Sequence, residues 1–216
     1  MLRASTDNFS TVYASSSGAS SSLSLTGLSA STTMQIRIHS LNINNIQSRD
    51  DVGTLLYTTV TSSTMTLQAS PGDFQTLTAA NVGVSSVTLT WSSNGNSPST
   101  VYQLKYSTSS TFIPATTIDS ISSTSTVASS LSPNTSYYFH VRAWYQDNSG
   151  LTDYNTTIAT YTLPAAPGYT SFRVYTTSAI VYVSTNANPS GTRYQVQVSS
   201  NQFSSISFSS ISVPVS

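Results

Sequence analysis

Residues 131–143 read Leu-Ser-Pro-Asn-Thr-Ser-Tyr-Tyr-Phe-His-Val-Arg-Ala. From Tyr137 onward the apolar positions Tyr137, Phe139 and Val141 alternate with Tyr138, His140 and Arg142, the period of a half-buried antiparallel strand. An earlier counterpart, Leu28-Ser-Ala-Ser-Thr-Thr-Met-Gln-Ile-Arg-Ile-His-Ser40, has the same pattern. Downstream, Ala179-Ile-Val-Tyr-Val183 and Tyr194-Gln-Val-Gln-Val198 repeat Val87-Thr-Leu-Thr-Trp91 and Tyr102-Gln-Leu-Lys-Tyr106. The spacings are about 100 and about 92 residues, the size of one small β-sandwich.

Turn-forming clusters separate these segments: Ser93-Asn-Gly-Asn-Ser-Pro98, Ser132-Pro-Asn134 and Gln146-Asp-Asn-Ser-Gly150. Short alternating strands with such punctuation predict an all-β chain of sandwiches or barrels, and no helical stripe interrupts them. Composition agrees. All seven acidic residues are Asp and Lys105 is the single lysine, so strong helix formers are scarce, while about 80 residues are Ser or Thr. Hydrophobic residues make up 38% and tyrosines number thirteen, enough for a packed core rather than a disordered chain.

Only 6% of the 216 residues are charged and the net charge is zero. That removes the basic footprint a nucleic-acid binder needs. No run of about 18 apolar residues is present, so no transmembrane helix is expected. The segment after Met1, Leu-Arg-Ala-Ser-Thr-Asp7, has no apolar signal-peptide core. Without cysteine there is no disulfide framework and no thiolate metal site. A surface of hydroxyls offers little like-charge repulsion between copies and tolerates lateral packing.

The middle repeat resembles a fibronectin type III domain. Trp91 stands where that family has its strand-B tryptophan, and Tyr102, eleven positions on, matches the strand-C tyrosine. Leu131, Pro133, Thr135 and Tyr137 match the family's lead into strand F. The resemblance implies that Tyr137 forms the tyrosine corner, its hydroxyl bonding to upstream backbone. The first copy carries Met34 at that corner, and the third carries Val183 in place of the tryptophan.

The frames that follow are one complete unit and two partial ones. Residues 1–66 read as strands C′ to G, with F at 34–41 and G at 54–60. Residues 67–163 read as a complete seven-stranded unit. Pro164-Ala-Ala-Pro167 resembles the family's linker, and residues 164–216 supply strands A to C or C′. Met1–Thr6 and Arg193–Ser199 both read as strand C, so about twenty positions are duplicated. Trp91, Tyr102, Leu104, Leu131, Tyr137, Phe139 and Val141 are the expected core of the middle unit.

The histidines, His39 and His140, fall on the outward face of strand F in different units, with no acid nearby in sequence. They read as solvated surface rather than as a catalytic pair or metal ligands, and no cofactor is expected. Arg49-Asp50-Asp51 lies in the first F–G loop and lacks the glycine of an integrin-binding motif, so an arginine–aspartate contact capping the loop is expected. Asp147-Asn148-Ser149-Gly150 lacks the oxygen spacing and closing glutamate of a calcium loop and reads as a turn. Tyr138, His140, Arg142 and Trp144 fall at alternate outward positions beside Gln103 and Lys105. That composition suits an interface, although the strand's own loops could equally cover the face, and exposed aromatics can stack on sugars.

With no catalytic constellation, the expectation is a non-enzymatic structural repeat protein of an extracellular or cell-surface fibre, of bacterial type by resemblance. Its partner would be itself, through head-to-tail joining or lateral packing, with each half domain completed by a neighbouring copy or by continuation of a longer covalent array. The alternative is an adhesin, or a carbohydrate-binding accessory or spacer module of a secreted enzyme.

Overall fold

A computed structural model describes residues 1–60, 64–145 and 149–211. Among them there is no helix, and no helix is therefore long and apolar enough to cross a membrane. The first unit holds β1 (Leu2–Ser5), β2 (Ala14–Ser16), β3 (Thr33–Ile38), β4 (Thr58–Thr59) and β5 (Thr64–Met65). They form one antiparallel sheet in the order β2-β1-β3-β4, with β5 pairing the start of β3. Strand F ends three residues earlier than its sequence suggests, and strand G shrinks to β4, because β4 meets β3 at only Arg37↔Thr59 and Ile38↔Thr58.

The middle unit contains β6 (Ser86–Thr90), β7 (Tyr102–Ser107), β8 (Thr116–Ile121), β9 (Ser125–Ser129), β10 (Ser136–Ala143) and β11 (Ile158–Tyr161). Two sheets face each other, β6-β9 and β11-β10-β7-β8. Among the described residues six continuous strands stand where seven are expected. The A strand is reduced to two bridges, Phe74↔Trp91 and Val82↔Val87. Between those bridges Asn81 turns back on Thr78, its side-chain oxygen accepting from the Thr78 N–H at 2.9 Å, and this local bond replaces a continuous ladder.

Along β10 burial alternates residue by residue. Tyr137, Phe139 and Val141 turn inward against Val87 and Leu89 of β6 and Leu104 of β7. Trp91 closes one end of this core, with edge contacts to Tyr102 at 5.4 Å and Phe74 at 6.2 Å between ring centroids. At the other end the Ser132 N–H donates to the Tyr137 hydroxyl at 3.0 Å, the bond that the resemblance implies. Tyr137→Phe should destabilise the unit by about 1–2 kcal/mol, since it strands that N–H in a half-buried turn. Denaturant midpoints of the two proteins measure this, and a loss below about 0.5 kcal/mol would make the corner incidental.

The third unit is built differently. β12 (Gly168–Val174) pairs β13 (Ala179–Ser184), and β14 (Gln195–Val198) pairs β15 (Phe208–Ile211), but the two hairpins share no ladder. Every residue of β13 and β15 is exposed, on both faces. Ala179, Val181 and Val183 occupy the repeat positions of Val87, Leu89 and Trp91, all buried in the middle unit.

The last residues of the first and middle units are tied back to the start of strand F by the same bonds. In the first, the Thr32 N–H donates to Thr66 Oγ1 at 2.9 Å, Thr66 Oγ1 donates to the Ser29 carbonyl at 2.6 Å, and the Ser31 N–H donates to the Leu67 carbonyl at 3.2 Å. In the second, Thr135, Thr162, Ser132, Asn134 and Leu163 repeat the arrangement at 3.0, 2.6 and 3.1 Å. Beyond each of these ties an asparagine grips the entering chain in both directions: Asn96 with the Ala69 N–H and carbonyl, Asn188 with those of Ala165. Side chains that satisfy backbone on both sides of a linker restrict its path.

Candidate functional site

Alternation on β10 sends Tyr138, His140 and Arg142 to the outer face, each half-buried. They do not form one open stripe. His140 is clamped between Phe112, 3.7 Å away and nearly parallel, and Tyr154, 3.6 Å away on the other side. Arg142 lies with its guanidinium 4.4 Å from the Tyr154 ring and donates from Nε to Gln103 Oε1 at 2.7 Å. Gln103 donates in turn to Asp119 Oδ1 at 2.6 Å. The expectation of a solvated histidine is thus corrected. Aromatic rings from the β7–β8 turn and from the segment before β11 fold over the face, and their stacking area outweighs imidazole hydration.

His39 is corrected for the same reason: it is buried, packed at a tilt against Tyr57 with 5.7 Å between centroids. Beside it Arg37 is clamped between Phe9 and Tyr57, its guanidinium carbon 4.1 Å from each ring. Arg37 occupies the repeat position of His140, and Phe9 that of Phe112, so the first and middle units carry the same three-layer clamp. Sequence reading missed Phe9, Phe112, Tyr57 and Tyr154. The signal was present: in each unit a phenylalanine follows the end of strand C by a few residues, after a serine.

Burial holds the His140 imidazole down to about 4, with the charges of Lys105 and Arg142 acting in the same direction. Burial also lowers His39. His140 is lower in the folded protein than the ordinary 6.5, so the unfolded chain binds more protons between about 4 and 6.5. Stability is therefore full above about pH 6.5 and falls as pH drops through that window. Lowering pH from 7 to 5 should cost the middle unit about 1 kcal/mol after allowance for solvent screening. His140→Gln should remove most of that slope, and an unchanged slope would show that His140 is solvated in solution.

Arg49 donates to the Gly53 carbonyl at 2.6 Å rather than to an aspartate, while Asp50 Oδ1 accepts the Thr54 and Val52 N–H groups at 2.7 and 3.1 Å. The loop is capped by backbone bonds, and these hold the Asp50 carboxyl below its usual range. Asp147 and Asn148 lie outside the described residues, and no cluster of metal-ligating side chains occurs among those described.

Trp144 points elsewhere. With Tyr145, Gln68, Ser99, Thr100 and Ser120 it lines a cleft of about 380 Å³. The Thr100 hydroxyl is buried there without a hydrogen-bond partner. Two larger grooves lie on the first and third units. One of about 440 Å³ lies on the first unit between Leu2, Leu23 and Ile38, and one of about 630 Å³ opens between the two hairpins of the third, over Val181, Val196, Val198 and Phe208.

Comparison with known proteins places the middle unit. A family model described as fibronectin type III domain matches residues 69–161. None of the curated proteins matches the chain. Similar solved structures include one described as "Myokine structure", 13% identical, covering 44% of this chain and 97% of its own, with a TM-score of 0.37. Another is the fibronectin type III domain of human fibronectin type III domain containing protein 3, 18% identical, covering 45% and 84%, with a TM-score of 0.35. A computationally redesigned β-sandwich protein is 19% identical over 43% and 93%, with a TM-score of 0.35. Such domains are, as a family, structural and binding modules rather than catalysts. Residues 69–161 match the fibronectin type III family model, within a chain whose other described strands are also antiparallel β-structure.

Proposed function

We propose that this chain is a structural repeat subunit of an extracellular or cell-surface fibre, in which each partial unit is completed by a neighbouring copy or by continuation of a longer array. The observation that carries this is the third unit, where β12 to β15 present apolar side chains such as Phe172, Val181 and Phe208 to solvent on two unjoined hairpins. Two-stranded ribbons are marginal alone and need a sheet or face to cover them. The first unit has a sheet of the kind that covers β6-β9 in the middle domain, with the groove over Leu2 and Ile38 uncovered. Head-to-tail joining of these two ends does not close on itself and so extends as a filament.

Negative-stain microscopy of the purified chain tests the reading, together with denaturing electrophoresis. Filaments whose denatured subunit runs as a 216-residue chain support it. Filaments that denature to much larger species point to a longer covalent array, and dispersed monomers overturn it.

A second reading, an adhesin or carbohydrate-binding spacer, is favoured by the Trp144 cleft. Its lining is aromatic and hydroxylic without a charged group, chemistry suited to a neutral sugar. Retention on cellulose or a glycan array that is lost in Trp144→Ala would support it, and no retention of the wild type would dismiss it.

A further inference from the structure

The chain carries two hairpins of the same design, β1-β2 and β14-β15, and one of them is without its strand F. In the first, Ser5 Oγ accepts the Asp7 and Phe9 N–H groups at 3.2 and 2.9 Å. In the second, Ser199 Oγ accepts the Asn201 and Phe203 N–H groups at 3.1 and 3.0 Å. Phe9, Phe112 and Phe203 all have positive φ, at 66°, 55° and 61°. A bulky residue in that region is uncommon, and its recurrence at one place in three units marks a built feature. Phe9 and Phe112 stack on the outward residue of strand F, Arg37 and His140. Phe203 has no such residue beneath it and stands 62% exposed.

Resting on the fibre reading above, we infer that assembly proceeds by hairpin exchange: β14-β15 of one copy replaces β1-β2 on β3 of the next, and Phe203 takes the place of Phe9 over Arg37. The occupant of the third unit's groove is accordingly strand β3 of a second copy, with Met34, Ile36 and Ile38 turned inward. Ile38 is 44% exposed in the single chain, whereas Val141 at its repeat position is fully buried. The middle unit supplies the geometry. There β7 and β6 belong to one continuous segment and β10 pairs with β7 through His140↔Lys105 and Val141↔Leu104. In the exchanged unit β14 and β13, likewise continuous, would meet β3 in the same order.

Both hairpins cannot pair the same edge of β3, which already holds β1 through Leu2↔Ile38 and Ala4↔Ile36. Retaining β1-β2 would leave Val198 and Phe208, opposite each other on one face of the hairpin, and Phe203 in water, all now well exposed. Releasing β1-β2 frees fewer large apolar groups, chiefly Leu2 and Phe9. The exchange therefore buries the larger apolar set. It also gives assembly a kinetic gate, since β1 must leave before β14 can enter.

A cysteine-free chain permits a direct test. Ala4→Cys with Ile36→Cys places two thiols directly opposite each other across β1 and β3, and oxidation would lock the resident hairpin. Assembly of the full chain is followed by sedimentation, oxidised and then reduced. Exchange predicts at least about tenfold less sedimented material when oxidised, with recovery on reduction. A lock that leaves assembly unchanged overturns the exchange while the fibre reading stands. Phe9→Ala and Phe203→Ala keep the test decisive should the double variant misfold. Exchange predicts faster assembly for the first and slower for the second, and any other ordering overturns it. A wild-type chain that never sediments is the failure of the fibre reading itself.

Discussion

Trp91→Ala should remove about 3–5 kcal/mol from the middle domain, a large fraction of what a domain of this size has. The indole is 2% exposed and fills the end of the sandwich between Phe74 and Tyr102, both in edge contact with it. Neither neighbour can follow the truncated side chain inward. Phe74 is held by its bridge to residue 91, and Tyr102 by its ladder to Ala143 on β10. The cavity therefore stays largely open, which is the costly outcome. The midpoint of thermal unfolding should fall by at least about 12 °C. Trp91→Phe is the informative control. The Trp91 Nε1–H is buried without an acceptor, so replacing indole by phenyl sacrifices volume but no hydrogen bond. Its loss should be less than half that of alanine. Fluorescence of Trp144 reports the transition in all three proteins. A loss below about 1 kcal/mol for Trp91→Ala would mean that this end of the core is not closed in solution.

Val181→Asp should have the opposite profile, with little effect on the single chain and a large one on assembly. Val181 is 38% exposed where it stands, and exposed substitutions usually change stability by less than about 0.5 kcal/mol. Its repeat partner Leu89 is fully buried in the middle domain. On the proposed completion Val181 enters the same environment, and a carboxylate there would be buried with no cation beside it. Such burial costs several kcal/mol, so the concentration needed for assembly should rise about 100-fold or more. Sedimentation measures assembly, and the unfolding midpoint of the middle domain checks that folding is intact. Wild-type assembly by Val181→Asp would exclude this face from the contact.

Strand F and its corner were legible before any coordinates, as were Trp91, Tyr102 and Leu104, because alternation is a local property of β-structure and a buried face must be continuously apolar. The outward residues were less legible. His140 and Trp144 follow the same alternation, yet one is clamped between two rings and the other lines a cleft. Which environment each meets depends on where the β7–β8 turn and the residues before β11 lie, and these approach from 28 and 14 positions away from His140. The reduced A and G strands were missed for a related reason. A strand needs a partner edge as well as a suitable sequence, and β4 finds one for two residues only.

By itself, the sequence determined an all-β chain with a repeat near one hundred residues and the inward face of each principal strand. Period-two patterning, turn residues and the scarcity of helix formers act through neighbouring bonds and require no long-range information. Only the tertiary structure decided that both histidines are enclosed and that Arg37 and His140 share one clamp. It also decided that Arg49 turns to a carbonyl and that the hairpins of the third unit remain unjoined. Each of those outcomes is a competition between water and a side chain distant in sequence, so the folded arrangement had to be present before it could be resolved.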